Sequence, residues 1–273
     1  MRWIRRAVEL LGEIERTQEE AIEAAATIAA RVIGSGGVVH TFGTGHSRMA
    51  VEEMFPRYGS YPGFHPVVEL SMTFYTQVGG ANGMRQAMFI ERVEGLAEQI
   101  LANYELRPTD AAIVFSVSGL NAVPIEMAMG LRKAGVPVIA VTSMRETNAV
   151  EPGHPSGTRL ADHADVVIDL CTPVGDALCG IDGLTEPVGP RQHGGRRRRG
   201  QRDQGPYGRA AGRGRPGSAG HLQRQARRAA ASRGAVRGRL SGARPQGGRG
   251  AEKAMSVLVA VSHGGIGSAC VGR

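Results

Sequence analysis

Four near-continuous apolar runs, VVHTF (38–42), AAIVFSV (111–117), VPVIAVT (136–142) and ADVVIDL (164–170), constrain this chain more than anything else in it. None alternates apolar with polar residues strictly enough for a sheet with one wet face. Strands of this kind are buried on both sides, and helices supply the cover. The intervening segments oblige. Residues 3–33 carry Ile4, Val8, Leu11, Ile14, Ile22, Ala25, Ala29 and Val32 at helical spacing, which predicts one long helix or two with a break near Thr17. Residues 47–58 and 86–103 read as helices. A helix over AVPIEMAMGLRKA follows Asn121, which stands at the capping position, with Pro124 tolerated in the first turn. HPVVEL (65–70) is a weaker second strand.

Strands alternating with helices predict a doubly wound α/β fold around a five-stranded parallel sheet, taken in the order 2-1-3-4-5. In such a sheet ligands bind beyond the carboxyl ends of the strands where the strand order reverses, here between strands one and three. The loops leaving those two strands are GTGHSR (43–48) and SVSGLN (116–121). Both are rich in glycine and hydroxyl groups, and both open a helix. Glycine lets the backbone approach an anion, and helix N-termini present free N–H groups and the positive end of a dipole. Thr44, Ser47, Ser116, Ser118 and Asn121 add neutral donors, so a single phosphate held across one crevice is the economical reading. The first loop also resembles a dinucleotide fingerprint, with Glu69 at about the distance of a ribose-binding acid. Arg48 stands at the third glycine position, however, and a dinucleotide site needs no second serine-rich loop.

VVHTFGTGHSRMAVEE together with IVFSVSGLNAVPIEMA resembles the sugar isomerase (SIS) domain, the phosphosugar-binding family, over about residues 4–190. HPSGTRLADHADVVID and PVGDAL are similar to an uncharacterised bacterial subgroup of it. The resemblance implies a flavodoxin-like, three-layer αβα sandwich that forms a dimer or tetramer. It implies a sugar phosphate held by Gly43, Thr44, Ser47, Ser116, Ser118 and Asn121, with the backbone of Gly45, His46 and Gly119. Family members that do chemistry are aldose–ketose isomerases or sugar-ether lyases, which need a base beside a carbonyl. EEMFPRY (52–58) resembles the glutamate-bearing helix of heptose-phosphate isomerases, at a spacing about one turn shorter, and nominates Glu52 or Glu53. Glu69, expected at the end of the second strand, and Glu91, expected at the start of the third helix, are alternative bases. His46 lies within reach of a ligand, whereas His65 and His154 read as loop or cap histidines. No spacing of His, Cys or Asp makes a metal site, and no cofactor is expected.

Charge divides the chain in two. Residues 1–190 hold 14 Lys/Arg against 23 Asp/Glu, whereas residues 191–273 hold 19 against 2, a net of +17. Within 191–250 there are 17 Arg and 15 Gly, and Tyr207, Leu222, Val236 and Leu240 are the only large apolar residues. Such a stretch cannot bury enough surface to offset its chain entropy and is expected to be disordered. It starts where a helix should follow the fifth strand. Arg is mostly CGN and Gly is GGN, so a one-base shift of an Arg/Gly string gives codons for Ala and Val. With allowed codons, residues 191–214 decode one base on as GSTVAAVAVVNAIKVRTAALLAAG, an apolar helix opened by Ser-Thr. The tail from about residue 191 therefore reads as out of frame, and residues 1–190 as an SIS domain lacking its last helix.

Three cysteines without a paired framework, no apolar leader and no long apolar span lead to a cytoplasmic expectation. Cys171 and Cys179 read as packing residues. The expected partners are a sugar phosphate and, for an intact domain, a second copy in a homodimer. The functional expectation is a phosphosugar site serving an isomerase or lyase. A non-catalytic sugar-phosphate sensor and nucleic-acid binding through the basic tail are the other two readings.

Overall fold

The computed structural model describes residues 2–55, 58, 61–73, 83–175, 177–180 and 182. The tail from 191 lies outside these residues, and so do the expectations placed on it. The elements are α1 (Arg2–Gly34), β1 (Val39–Gly43), a 3-10 turn (Gly45–Ser47), α2 (Arg48–Glu53), β2 (Phe64–Pro66), α3 (Leu70–Thr73), α4 (Gly83–Ile90), α5 (Leu96–Leu101), β3 (Ala111–Phe115), α6 (Ala122–Lys133), β4 (Val138–Thr142), α7 (Met144–Ala149), a second 3-10 turn (Leu160–His163) and β5 (Val166–Asp169).

All strand pairs are parallel and the order is β2-β1-β3-β4-β5, the predicted topology. Side chains along each strand alternate between two cores. On one face Val39, Ile113, Phe115, Ile139, Val141 and Ile168 pack with α1 and α2. On the other Phe42, Ala112, Val114, Val138 and Ala140 pack with α5 and α6. Ile113 and Ile139 are wholly buried, each contributing roughly 1.5–3 kcal/mol. The three-layer α/β sandwich is thus a direct consequence of strands that are apolar on both faces.

The element boundaries differ from expectation where tertiary contacts override local pattern. α1 does not break at Thr17, whose hydroxyl folds back to donate to the Glu13 carbonyl at 2.8 Å. β2 spans three residues, and Val67 N still donates to Thr41 O at 2.8 Å before the chain turns away. Glu69 therefore does not end a strand; its carboxylate accepts from Met72 N at 2.9 Å and opens α3. The single helix expected over 86–103 is two, interrupted at residues 91–95. Gly95 at φ +78° turns the corner, and its N–H donates to both carboxylate oxygens of Glu126 on α6, at 3.0 and 2.8 Å. Cys171 and Cys179 are buried, and burial pushes the Cys171 thiol up.

At the amino-terminal end of the sheet, Asp110 is fully buried and accepts from Val38 N at 3.0 Å and Arg107 N at 3.1 Å. His40 Nε2 lies 3.5 Å from the same carboxylate, and His40 Nδ1 lies 3.1 Å from His65 Nδ1. This polar group ties β1, β2 and the entry to β3 together, at the end opposite the two glycine- and hydroxyl-rich loops.

Candidate functional site

Gly43 and Phe115 are direct partners across β1 and β3. The two loops therefore leave adjacent parallel strands at the same level, Thr44 from one and Ser116 from the other. The strand order reverses between them. In the first loop Thr44, extended at φ −112°, precedes the 3-10 turn, which runs directly into α2; Ser47 N donates to Thr44 O at 3.0 Å. Gly43, Thr44 and Ser47 are buried, while Gly45 and His46 are half-buried.

The second loop is a tighter device. Ser116 is buried and its Oγ accepts from Gly119 N at 3.2 Å; Ser118 Oγ accepts from Leu120 N at 3.4 Å. Gly119 adopts φ +63°, and a Cβ there would stand 2.9 Å from Thr142 Oγ1. Two residues that the sequence reading did not single out hold this loop from beneath. Thr142 Oγ1 donates to Val117 O at 3.1 Å and Thr147 Oγ1 donates to Ser118 O at 2.8 Å, from the end of β4 and from α7. The only signal for them was their place at and just after the end of the third apolar run.

Asn121 occupies the N-cap of α6, but its side chain makes no cap bond. Its Nδ2 instead donates to Glu91 Oε1 at 2.8 Å. The other carboxylate oxygen, Oε2, accepts from Thr44 Oγ1 at 2.9 Å. The Glu91 carbonyl accepts from Val123 N, in the first turn of α6, at 3.0 Å. One residue at the helix break thus joins both loops. Burial is the main influence on its carboxyl and raises its pKa; the Thr44 hydrogen bond and the neighbouring Arg92 charge oppose that less strongly.

The other three carboxylates are engaged differently. Glu52 Oε1 lies 3.2 Å from Arg48 Nε, one turn earlier on α2. Glu53 follows it, half-buried, at the end of α2. Glu69 is committed to α3, accepting also from Ser71 Oγ at 3.2 Å. His154 Nε2 lies 3.3 Å from Glu126 Oε1 on α6 and its Nδ1 2.7 Å from Ser156 Oγ. Among the described residues no group of three His, Cys, Asp or Glu side chains is arranged to hold a metal, and no helix is long and apolar enough to cross a membrane.

A doubly wound parallel sheet with two hydroxyl-rich loops at its order reversal defines the class of α/β domain in which ligands bind beyond the carboxyl ends of the strands. The chain belongs to the SIS-domain family, whose model matches residues 2–143. It is 36% identical over 186 residues to a UPF0309 protein of Streptomyces coelicolor, covering 67% of this chain and 72% of the relative. A UPF0309 protein of Halalkalibacterium halodurans is 35% identical over 168 residues, 62% of this chain and 67% of that one. Among solved structures, the phosphoheptose isomerase of Neisseria gonorrhoeae is similar over 61% of this chain and 81% of its own, at 18% identity and a TM-score of 0.43.

Proposed function

We propose that this protein binds a phosphorylated sugar in the crevice between residues 43–48 and 116–121, and that Glu91 is the base of an aldose–ketose isomerisation there. Family membership supports the ligand class. The observation that carries the reading is the double engagement of Glu91 by Thr44 and Asn121, one from each loop. The loops offer neutral hydroxyl, amide and backbone donors to the phosphate. The carboxylate between them takes the proton from the carbon beside the carbonyl. The electrons of that C–H bond pass into the carbon–carbon bond of an enediol, and the carbonyl oxygen gains a proton. Return of the proton to the neighbouring carbon, with loss of the other hydroxyl proton, completes the exchange. A carboxyl whose burial raises its pKa is better matched to this work near neutrality than an exposed one.

Glu52, Glu53 and Glu69 compete for the same role. A thermal-shift screen of sugar phosphates identifies the ligand, and Gln substitution at each of the four glutamates then sorts them. Loss of turnover with retained binding is expected of Glu91→Gln alone. Undiminished turnover by Glu91→Gln would transfer the role to whichever of the other three abolishes it. Binding without turnover by any protein, wild type included, would make this a sensor.

The division at residue 190 belongs to the same reading. Residues 1–190 carry the site, and 191–273 are read as an out-of-frame tail. Resequencing the coding DNA around codon 190 tests this. Deleting 191–273 is expected to leave the salt dependence of DNA affinity unchanged, and a loss of that affinity would establish nucleic-acid binding by the tail.

A further inference from the structure

We propose that Glu91 is a crossbar which the arriving phosphate displaces, so that the ligand's own anion frees the carboxylate that acts on its sugar. This inference rests on the phosphosugar reading above. Its basis is a conflict over donors. Thr44 Oγ1 and Asn121 Nδ2 are among the groups assigned to the phosphate, yet both are bonded to Glu91. Thr44 has a single hydroxyl proton, so it cannot serve two anions at once. Asn121 Nδ2 has two, but both directions must then fit the same crevice.

When the phosphate takes these donors, Glu91 loses the hydrogen bonds that satisfy its charge, in a site only partly open to water. A second negative charge has also arrived beside it. Both changes disfavour the ionised form, so the carboxylate becomes a stronger base. Its backbone stays in place, because Val123 N on α6 still holds its carbonyl. The charged or titratable groups on its own and the packed elements are Arg85 and Arg92, His46 in the first loop, Arg48, Glu52 and Glu53 on α2, Glu69 at the start of α3, and Glu126, Arg132 and Lys133 on α6. Among these, Arg92 is the one that acts on its charge. No cation within salt-bridge reach of Glu91, among the described residues, would hold it ionised once the two donors leave.

Phosphate binding must therefore take up a proton over the pH window between the free and loaded titrations of Glu91. Above that window the residue is ionised in both states and works as a base. The arrangement favours phosphorylated over neutral sugars in the chemical step as well as in affinity.

The test is calorimetric. Inorganic phosphate is titrated into the full chain in buffers of different ionisation enthalpy, between pH 5 and 8. The Glu91→Gln variant is the reference that carries phosphate's own titration. Wild type is expected to take up more protons than the variant, up to about one per phosphate, and to lose affinity by up to about tenfold per pH unit across the window. Equal uptake by the two proteins would overturn the crossbar and leave the phosphosugar site standing. No phosphate binding by either would overturn the phosphosugar site itself. Sulfate, which has no titrating proton here, gives the same reading on wild type alone should the variant not fold: uptake supports the crossbar, and none overturns it.

Discussion

Asn121 stands where a capping side chain belongs, yet its amide is given to Glu91 Oε1 at 2.8 Å and not to the first turn of α6. An N-cap contributes about 1 kcal/mol to its helix. Here that contribution is traded for a bond between the two loops. Asn121→Ala is accordingly expected to leave the melting temperature within a few degrees of wild type. It should weaken inorganic phosphate binding by roughly tenfold, the equivalent of one hydrogen bond to a charged group. Calorimetric titration checks both the affinity and the unaltered fold.

Burial of the Glu91 carboxyl also makes a statement about stability. Its folded titration lies above the unfolded value of 4.5, so the native state binds more protons between those limits. Stability drawn from this residue is greatest at acid pH and falls as pH rises through the folded value. Glu91→Gln cannot ionise. It is expected to melt with wild type near pH 4 and above it near pH 8, since a buried charge has been removed. Thermal melts across that range measure the gap, and a gap that narrows with rising pH would contradict the assignment.

The strands, their order and both loops were legible in the sequence because continuous apolar runs have few other uses in a chain of this length, and because glycine with hydroxyl residues marks the turns that follow them. The break at 91–95 was not legible. Phe89, Ile90, Val93 and Leu96 continue a helical pattern, and Gly95 alone hints at interruption. What breaks the helix is tertiary: Val123 N and the Glu126 carboxylate on α6 capture the corner. The reading consequently named Glu91 but put it at the start of a helix, without its partners. Asn121 illustrates the same limit. Residue type and position gave it as a cap, whereas its side chain makes no cap bond and its Nδ2 donates to Glu91. Glu69 was placed at the end of a strand because four more residues looked extended. Once β2 stops at Pro66, the same carboxylate is free to open α3.

Gly119 gives a test of the second loop. Its φ of +63° costs a residue with a side chain about 1–2 kcal/mol. A Cβ would also meet Thr142 Oγ1 at 2.9 Å, the hydroxyl that holds Val117 O. Gly119→Ala is expected to destabilise the protein by about 2–3 kcal/mol in urea unfolding. It should also reduce phosphate affinity through displacement of Ser116 and Ser118. If the variant were as stable as wild type, with the same affinity, this turn would not be the constrained element described.

The buried group at the other end of the sheet responds to acid in the opposite sense from Glu91. His40 Nε2 faces the Asp110 carboxylate and so carries the proton, leaving Nδ1 to accept from His65 Nδ1. A second proton on His40 would meet that N–H and break the link between β1 and β2. Burial is the main influence on His40 and lowers its pKa, with the nearby Asp110 charge opposing less strongly. Because the folded value lies below the unfolded 6.5, the unfolded state binds the extra proton first. The contribution is complete above pH 6.5 and is lost as pH falls from there to the folded value. Urea midpoints are therefore expected to decline below pH 6.5 in wild type. Because burial is the main cause of the shift, replacing His65 by Phe, which keeps the site apolar, should leave that decline in place. Asp110→Ala, which removes the acceptor of the half-buried N–H groups of Val38 and Arg107, should cost about 1–3 kcal/mol at every pH. A wild-type midpoint that held constant from pH 7 to 5 would mean that His40 keeps its ordinary titration and that the histidine pair does not lock β2 to β1.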